Sequence, residues 1–163
     1  MATAYIALGG NVGDRRGYLS AAARALAAAP GVVLLARSPL FETEAVADDP
    51  QPPYLNAVAR VQTELDPRAL LGLCLEVERS LGRQRPPGKR RAPRTIDLDL
   101  LLYDQVVTDE PGLRVPHPEL LGRPFVRVPL ARVAEVGLRH PETGAPLDQA
   151  ADDPEVRELP DAW

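Results

Sequence analysis

The chain has 163 residues and a mass of 17.6 kDa, with 45% hydrophobic and 26% charged residues, which suits one domain with its own core and is short for two. A net charge of −4 and a pI near 5.2 argue against a protein that binds nucleic acid over its whole surface. No apolar run reaches the roughly 18 residues of a membrane span, the N-terminus lacks the pattern of a signal peptide, and the single Cys74 excludes an internal disulfide and a multi-cysteine zinc site.

These features predict a soluble cytoplasmic protein in which residues 1–163 form a single domain. Thr3–Leu8 reads as a strand that ends in the turn Gly9-Gly10-Asn11. Glycines there permit close backbone approach to a ligand, or simply a tight turn. Asp14–Ala29 follows as a helix with Leu19, Ala22, Ala23 and Leu26 on one face, stopped by Pro30-Gly31. Val32–Thr43 is β-rich in its first half and extended in its second, and residues 44–53 read as a proline-containing loop. Tyr54–Leu65 alternates as a strand, with Leu55, Ala57, Ala59 and Val61 opposite Asn56, Val58, Arg60 and Gln62. Asp66-Pro67 starts a helix that runs to about Leu81, the aspartate as N-cap and the proline at the first helical position.

Charge concentrates in the next segment. Residues 83–94 hold Arg83, Arg85, Lys89, Arg90, Arg91 and Arg94 and no acid, so the rest of the chain carries 13 basic against 23 acidic residues. One basic segment in an acidic protein points to local anion binding. Thr95–Tyr103 is then another strand, residues 117–136 offer short helices, and an acidic, loosely packed tail is expected from about Glu142. The order β-α-β-β-α-β predicts an α+β protein with a ferredoxin-like core and antiparallel pairing, its second sheet face covered to give a three-layer α/β/α sandwich.

The sharpest chemical feature is Thr95-Ile96-Asp97-Leu98-Asp99-Leu100-Leu101-Leu102. Alternation sends Ile96, Leu98, Leu100 and Leu102 into the core and Asp97 and Asp99 together to the other side, about 7 Å apart. Two carboxylates on one face of an apolar strand repel each other, and a divalent cation such as magnesium relieves that repulsion. A solvated pair bound to arginines accounts for the same spacing. An arginine loop next to a paired-aspartate metal site is an arrangement suited to phosphoryl transfer, whereas such a loop alone reads as a solvated segment. His117, in Val115-Pro116-His117-Pro118, either contacts phosphate or caps a loop. His140 reads as a surface residue. Tyr54, Asn56 and Phe125 fit either a ligand pocket or core packing.

The run Arg90-Arg91-Ala92-Pro93-Arg94-Thr95-Ile96-Asp97-Leu98-Asp99-Leu100-Leu101 closely resembles the signature of the 6-hydroxymethyl-7,8-dihydropterin pyrophosphokinase family. The same resemblance extends through Tyr5–Asn11, Phe41-Glu42-Thr43-Glu44, Tyr54-Leu55-Asn56-Ala57, Glu78 to Arg83, Val115–Pro118 and Arg123-Pro124-Phe125, over roughly residues 3–135. It implies transfer of pyrophosphate from ATP to a reduced pterin alcohol in folate synthesis, with release of AMP. It further implies that Asp97 and Asp99 hold two magnesium ions, and that Arg83, Arg94 and His117 contact the phosphates. Glu78, Arg85 and Arg123 join the ATP side. The pterin ring is expected between Tyr54 and Phe125, with Asn56 and backbone groups near Thr43 and Val46 on its polar edge. Residues 83–94 are expected to be mobile without ligands and to close over both substrates.

Two departures stand out. Arg91 and Ala92 replace the Trp-Gly that many relatives carry, and Pro118 stands where some have tyrosine. The expected state is a monomer that binds neither nucleic acid nor membrane. A ferredoxin-like RNA-binding module and a non-catalytic small-molecule-binding regulatory domain are the rival readings. For the first, the sheet offers few strand aromatics for base stacking and the pI is acidic, and the second leaves the paired aspartates beside six basic residues without a purpose.

Overall fold

A computed structural model describes residues 1–44, 51–82, 95–160 and 162–163. Its elements are β1 (Ala2–Gly10), α1 (Arg15–Ala28), β2 (Val32–Arg37), β3 (Phe41–Thr43), β4 (Tyr54–Thr63), α2 (Pro67–Ser80), β5 (Asp97–Tyr103), β6 (Thr108–Glu110), β7 (Leu113–Val115), α3 (Pro124–Val133) and β8 (Arg157–Glu158). The mixed α and β content and the antiparallel sheet agree with expectation. The extended stretch before residue 44 contains β3.

Both long helices start where side-chain chemistry directs. The Asp14 carboxylate accepts from the Gly17 N–H at 3.1 Å, and the Asp66 carboxylate accepts from the Ala69 N–H at 2.8 Å, with Pro67 opening α2. These bonds satisfy donors that have no partner inside the first helical turn. Helix α1 buries Leu19, Ala22, Ala23 and Leu26, and α2 buries Leu70, Cys74, Val77 and Glu78.

The main sheet runs β5-β1-β4-β3-β8, and β2 also pairs with β4. All of its pairings are antiparallel. Strands β2 and β3 share one edge of β4 end to end, with the break at Ser38. There the Ser38 N–H donates to the Val58 carbonyl, and its hydroxyl accepts from the Val58 N–H, both at 2.9 Å. One residue thus completes both hydrogen bonds that a regular ladder pair would supply.

Alternation along the strands divides the core. Ala4, Ile6, Leu8, Leu55, Ala57, Ala59, Val61, Leu98 and Leu100 pack with the buried faces of α1 and α2. Tyr5, Val58, Leu101 and Leu102 pack with Val126, Leu130 and Val133 of α3. Helix α3 therefore lies on the face opposite α1 and α2. Its last carbonyls and the N–H beyond them are tied down: Arg60 donates to the Val133 carbonyl at 2.9 Å, and the Glu135 N–H donates to the Tyr5 hydroxyl at 3.0 Å.

Leu102 does not share the Ile96-Leu98-Leu100 face, contrary to simple alternation. The β1–β5 register shifts between Tyr5, which faces Leu102, and Ile6, which faces Leu100. Leu101 is the extra residue, and a bulge of this kind reverses the side-chain phase beyond it. Leu101 and Leu102 consequently both reach the α3 cluster.

Beyond α3, Leu147 is buried, β8 pairs with Phe41 and Glu42, and the Leu159 N–H donates to the Leu40 carbonyl at 2.8 Å. The Trp163 indole N–H donates to the Ser38 carbonyl at 2.8 Å, and the Arg37 guanidinium lies 4.8 Å from that ring's centre. No helix among the described residues is long and apolar enough to cross a membrane.

The bulge has a measurable signature. Leu102→Ala should destabilise the protein by about 2–5 kcal/mol in denaturant unfolding. Its effect should be non-additive with that of Leu130→Ala, which shares the α3 cluster, and additive with that of Leu70→Ala on the other face. Uninterrupted alternation would reverse this coupling.

Candidate active site

The pairing register assembles the site. Asp97 lies opposite Gly9, Gly9 opposite Asn56, and Asn56 opposite Phe41, forming one row across four strands. Residues directly opposite in antiparallel strands share a sheet face. The next rows hold Asp99, Ala7 and Val58, and Thr43 with Tyr54. Asp97, Asp99, Asn56, Tyr54 and Thr43 are thus brought to one face, which is the α3 face because Val58 belongs to its cluster.

Helix α3 is tethered at its C-terminal end to Tyr5 and Arg60, which are themselves partners in the register. Ten residues of helix span about 15 Å, and the four strand steps from Tyr5 to Gly9 span about 13 Å. Helix α3 also contacts β3, which pairs with the Asn56 end of β4, so the helix N-terminus, with Arg123, Pro124 and half-buried Phe125, points toward the Asp97–Asn56 end of the sheet. The Arg123 guanidinium lies 5.6 Å from the Phe125 ring centre and pairs with Glu119.

Asn56 and Thr43 are both buried, and the Asn56 amide donates to the Thr43 hydroxyl at 2.9 Å. Its own carbonyl oxygen lies over Gly9, where an added Cβ would meet it at 3.0 Å. The approach to β4 is fixed from β1 and α1. Buried Asn11 donates to the Gln51 side chain at 3.0 Å and to the Pro52 carbonyl at 3.1 Å. Arg15 donates to the Pro53 carbonyl at 2.9 Å and to Glu42 at 2.8 Å. The Arg15 hydrogen bond, with a second from Arg157, holds the Glu42 carboxyl below its ordinary range against the opposing effect of burial.

The aspartate strand is held from behind. Glu78, only 4% exposed, accepts from the Leu98 N–H at 2.7 Å, between the two half-buried aspartates. Nearby, burial together with Glu78 and Asp99 pushes the Cys74 thiol up to about 12, so it stays protonated and unreactive. The family resemblance puts Glu78 on the ATP side, and its bond to the Leu98 N–H has no signal in the sequence.

His117 is fastened to the same strand, its N–H donating to the Leu101 carbonyl at 2.9 Å. Its Nδ1 accepts from the Glu119 N–H at 3.2 Å, which assigns the ring proton to Nε2. Burial, with Arg123 and Arg114, lowers its pKa, and Asp97 acts in the opposite direction. A cavity of about 660 Å³ opens beside Asp99 and His117, walled by Leu71, Leu100 and the β6–β7 hairpin. His140 is buried, not a surface residue: its Nδ1 accepts from the Glu142 and Thr143 N–H groups at 3.2 Å, closing a turn away from the site.

Val46, Arg83, Arg85 and Arg94 lie outside the described residues, as does the whole segment for which closure is expected. Among the described residues no three His, Cys, Asp or Glu side chains cluster to hold a metal by themselves. Asp97 and Asp99 supply hard oxygen donors on one face, and the residues opposite them on β1 are only Gly9 and Ala7. That donor set and the space beside it fit magnesium, which keeps waters and takes further ligands from a substrate.

The neutral imidazole provides a test. Followed by NMR, His117 should titrate below the ordinary 6.5. Asp97→Asn should lower that midpoint further, since the aspartate favours the imidazolium. The folded state binds this proton less readily than the unfolded chain, so His117 withdraws stability as pH falls through about 6.5.

The family described as 7,8-dihydro-6-hydroxymethylpterin-pyrophosphokinase (HPPK) matches residues 5–135. A 2-amino-4-hydroxy-6-hydroxymethyldihydropteridine pyrophosphokinase of Methylorubrum extorquens is 42% identical over 82% of this chain and 84% of its own. One of Bacillus subtilis is 39% identical over 90% of this chain and 86% of its own. A crystal structure of an HPPK-DHPS protein in complex with substrates shares the fold, with a TM-score of 0.61 and 10% identity over 81% of this chain and 40% of that one. By the match to residues 5–135 and the identity to these relatives, the chain belongs to the 7,8-dihydro-6-hydroxymethylpterin-pyrophosphokinase family.

Proposed function

We propose that the protein transfers the pyrophosphoryl group of ATP to the hydroxymethyl oxygen of 6-hydroxymethyl-7,8-dihydropterin, releasing AMP, as a step in folate synthesis. The observation that carries this reading is the Asp97–Gly9–Asn56 row, with a paired-carboxylate site at one end and a buried amide at the other, in a chain of this family.

Asn56 and Thr43 recognise the polar edge of the pterin, and Tyr54 and Phe125 flank its ring. Backbone groups near Val46 are assigned to pterin recognition by sequence position alone. Asp97 and Asp99 would hold two magnesium ions, which would supply positive charge to offset that of the triphosphate. His117, neutral at pH 7, donates its Nε2–H to a phosphate oxygen, and Arg123 adds positive charge at the α3 terminus. Arg83, Arg85 and Arg94 are assigned to the phosphates on charge and sequence position, with Arg94 steadying the transferred group. Glu78 serves the nucleotide side through β5, whose Leu98 N–H it holds. The cavity beside Asp99 and His117 suits the nucleoside, since its walls join apolar side chains to the phosphate-facing residues.

In the transfer, the alcohol oxygen bonds to the β-phosphorus and releases its proton to solvent. The bond from that phosphorus to the oxygen bridging to the α-phosphorus breaks, and AMP leaves with the bridging oxygen. The strand order β5-β1-β4-β2, with α1 and α2 on one face and α3 on the other, supports a ferredoxin-like core in a three-layer sandwich. We place residues 1–163 in one pyrophosphokinase domain, a cytoplasmic monomer.

With magnesium, ATP and the pterin alcohol, the protein should form AMP and the pterin diphosphate, and ADP should not accumulate. Formation of ADP, or of no AMP, by folded protein would refute the assignment. Asp97→Ala should cut turnover by several orders of magnitude while the protein still folds. Phe125→Ala should weaken pterin binding by about 1–3 kcal/mol in calorimetry and leave ATP binding nearly unchanged.

A further inference from the structure

Gly9 occupies an unusual place for a residue without a side chain. It sits inside β1, a strand paired on both sides, where glycine weakens a sheet. Backbone conformation does not require it: among the described residues the glycines with positive φ are Gly13, Gly31, Gly82, Gly112, Gly137 and Gly144, and Gly9 is not one of them. Alanine would satisfy the ladder equally well. The reason for glycine lies in the space above the strand.

That space has defined walls. Asp97 lies opposite on β5 and Asn56 opposite on β4, so two strand spacings, about 10 Å, separate the flanking side-chain positions. A Cβ at residue 9 would stand 3.0 Å from the Asn56 side-chain oxygen and 3.5 Å from the Leu55 carbonyl. Asn56 has little freedom to withdraw, because it is buried and its amide nitrogen is bonded to Thr43 at 2.9 Å. One side of the gap recognises the acceptor's ring and the other faces the phosphate, an assignment that rests on the function proposed above. A group that leaves the ring for the phosphorus must cross β1, and Gly9 is the residue of β1 in that row.

We propose that the reaction requires glycine at position 9: the bare backbone there is the floor over which the acceptor's hydroxymethyl arm reaches the phosphate. A methyl group at residue 9 occupies the path of the reacting arm as well as the clearance of Asn56. The two effects are separable, since the second disappears when Asn56 is truncated.

The test compares wild type, Gly9→Ala, Asn56→Ala and the double variant. AMP formation at saturating ATP gives kcat and the pterin KM, and calorimetry gives the affinity for magnesium-ATP. Gly9→Ala should lower kcat by about tenfold or more, because a displacement near 1 Å suffices for losses of this order. The affinity for magnesium-ATP should stay within about twofold of wild type. In the Asn56→Ala background, Gly9→Ala should again lower kcat by about tenfold. The double variant removes the 3.0 Å contact and keeps the test available even if the single variant folds poorly. An undiminished kcat in Gly9→Ala, or a loss that vanishes when Asn56 is alanine, would overturn the proposal and leave Gly9 as clearance for Asn56 alone. Failure of wild type to make AMP from the pterin would instead remove the functional reading beneath it.

Discussion

Everything chemical in this protein depends on the double antiparallel pairing of β1. Because β1 pairs with β4 on one side and β5 on the other, the aspartates and the asparagine are related by two ladders of backbone hydrogen bonds rather than by any loop. Their separation is consequently a multiple of the strand spacing, and their shared face follows from register. A slip of one residue in either ladder would send one group to the α1–α2 side, into the aliphatic core. That core is thus part of the positioning apparatus. Ile6, Leu8, Ala57, Leu98 and Leu100 can be buried together only if the polar groups emerge opposite.

The electrostatic arrangement follows from the same constraint. Three carboxylates, Glu78, Asp97 and Asp99, crowd the start of β5. Glu78 is the deepest and is engaged by the Leu98 N–H; the aspartates face the opposite side of the sheet. Glu78 reaches β5 from α2 at the rim of the sheet, whereas the aspartate side chains leave the strand on the α3 face. Burial raises the pKa of the neighbouring Cys74 thiol, and the negative charge of Glu78 and Asp99 adds to the shift. His117, on the far side, is held neutral by burial and by arginines in spite of Asp97, and so is ready to donate without adding a charge.

What the sequence reveals of this arrangement depends on how local its cause is. Strict alternation through Asp97 and Asp99 and through Asn56 shows which side chains travel together, because period two is a property of the strand itself. Capping by Asp14 and Asp66 is equally local. Leu102 is misread because the bulge at Leu101 arises from the partner strand, at Tyr5 and Ile6, about a hundred residues away in the chain. Glu78 leaves no sign of its bond to Leu98, since its partner is a backbone group common to all residues. Asn11 shows only as the end of a glycine turn, although it secures the loop at residues 51–53. His140 reads as surface because its partners are backbone N–H groups of its own turn. The pairing of the two-residue β8 with β3 has no periodicity to detect.

Strand β5 lies at the rim of the main sheet, where outward-facing backbone groups would ordinarily invite another molecule's strand. Here the Leu98 N–H is taken by Glu78 and the Leu101 carbonyl by the His117 N–H. The contacts that steady the aspartates therefore also blunt this rim as a template for intermolecular β-pairing. A change at Glu78 would then act twice, loosening the aspartate strand and exposing an unsatisfied edge. Its variants should be recognised as much by self-association on storage as by lost turnover.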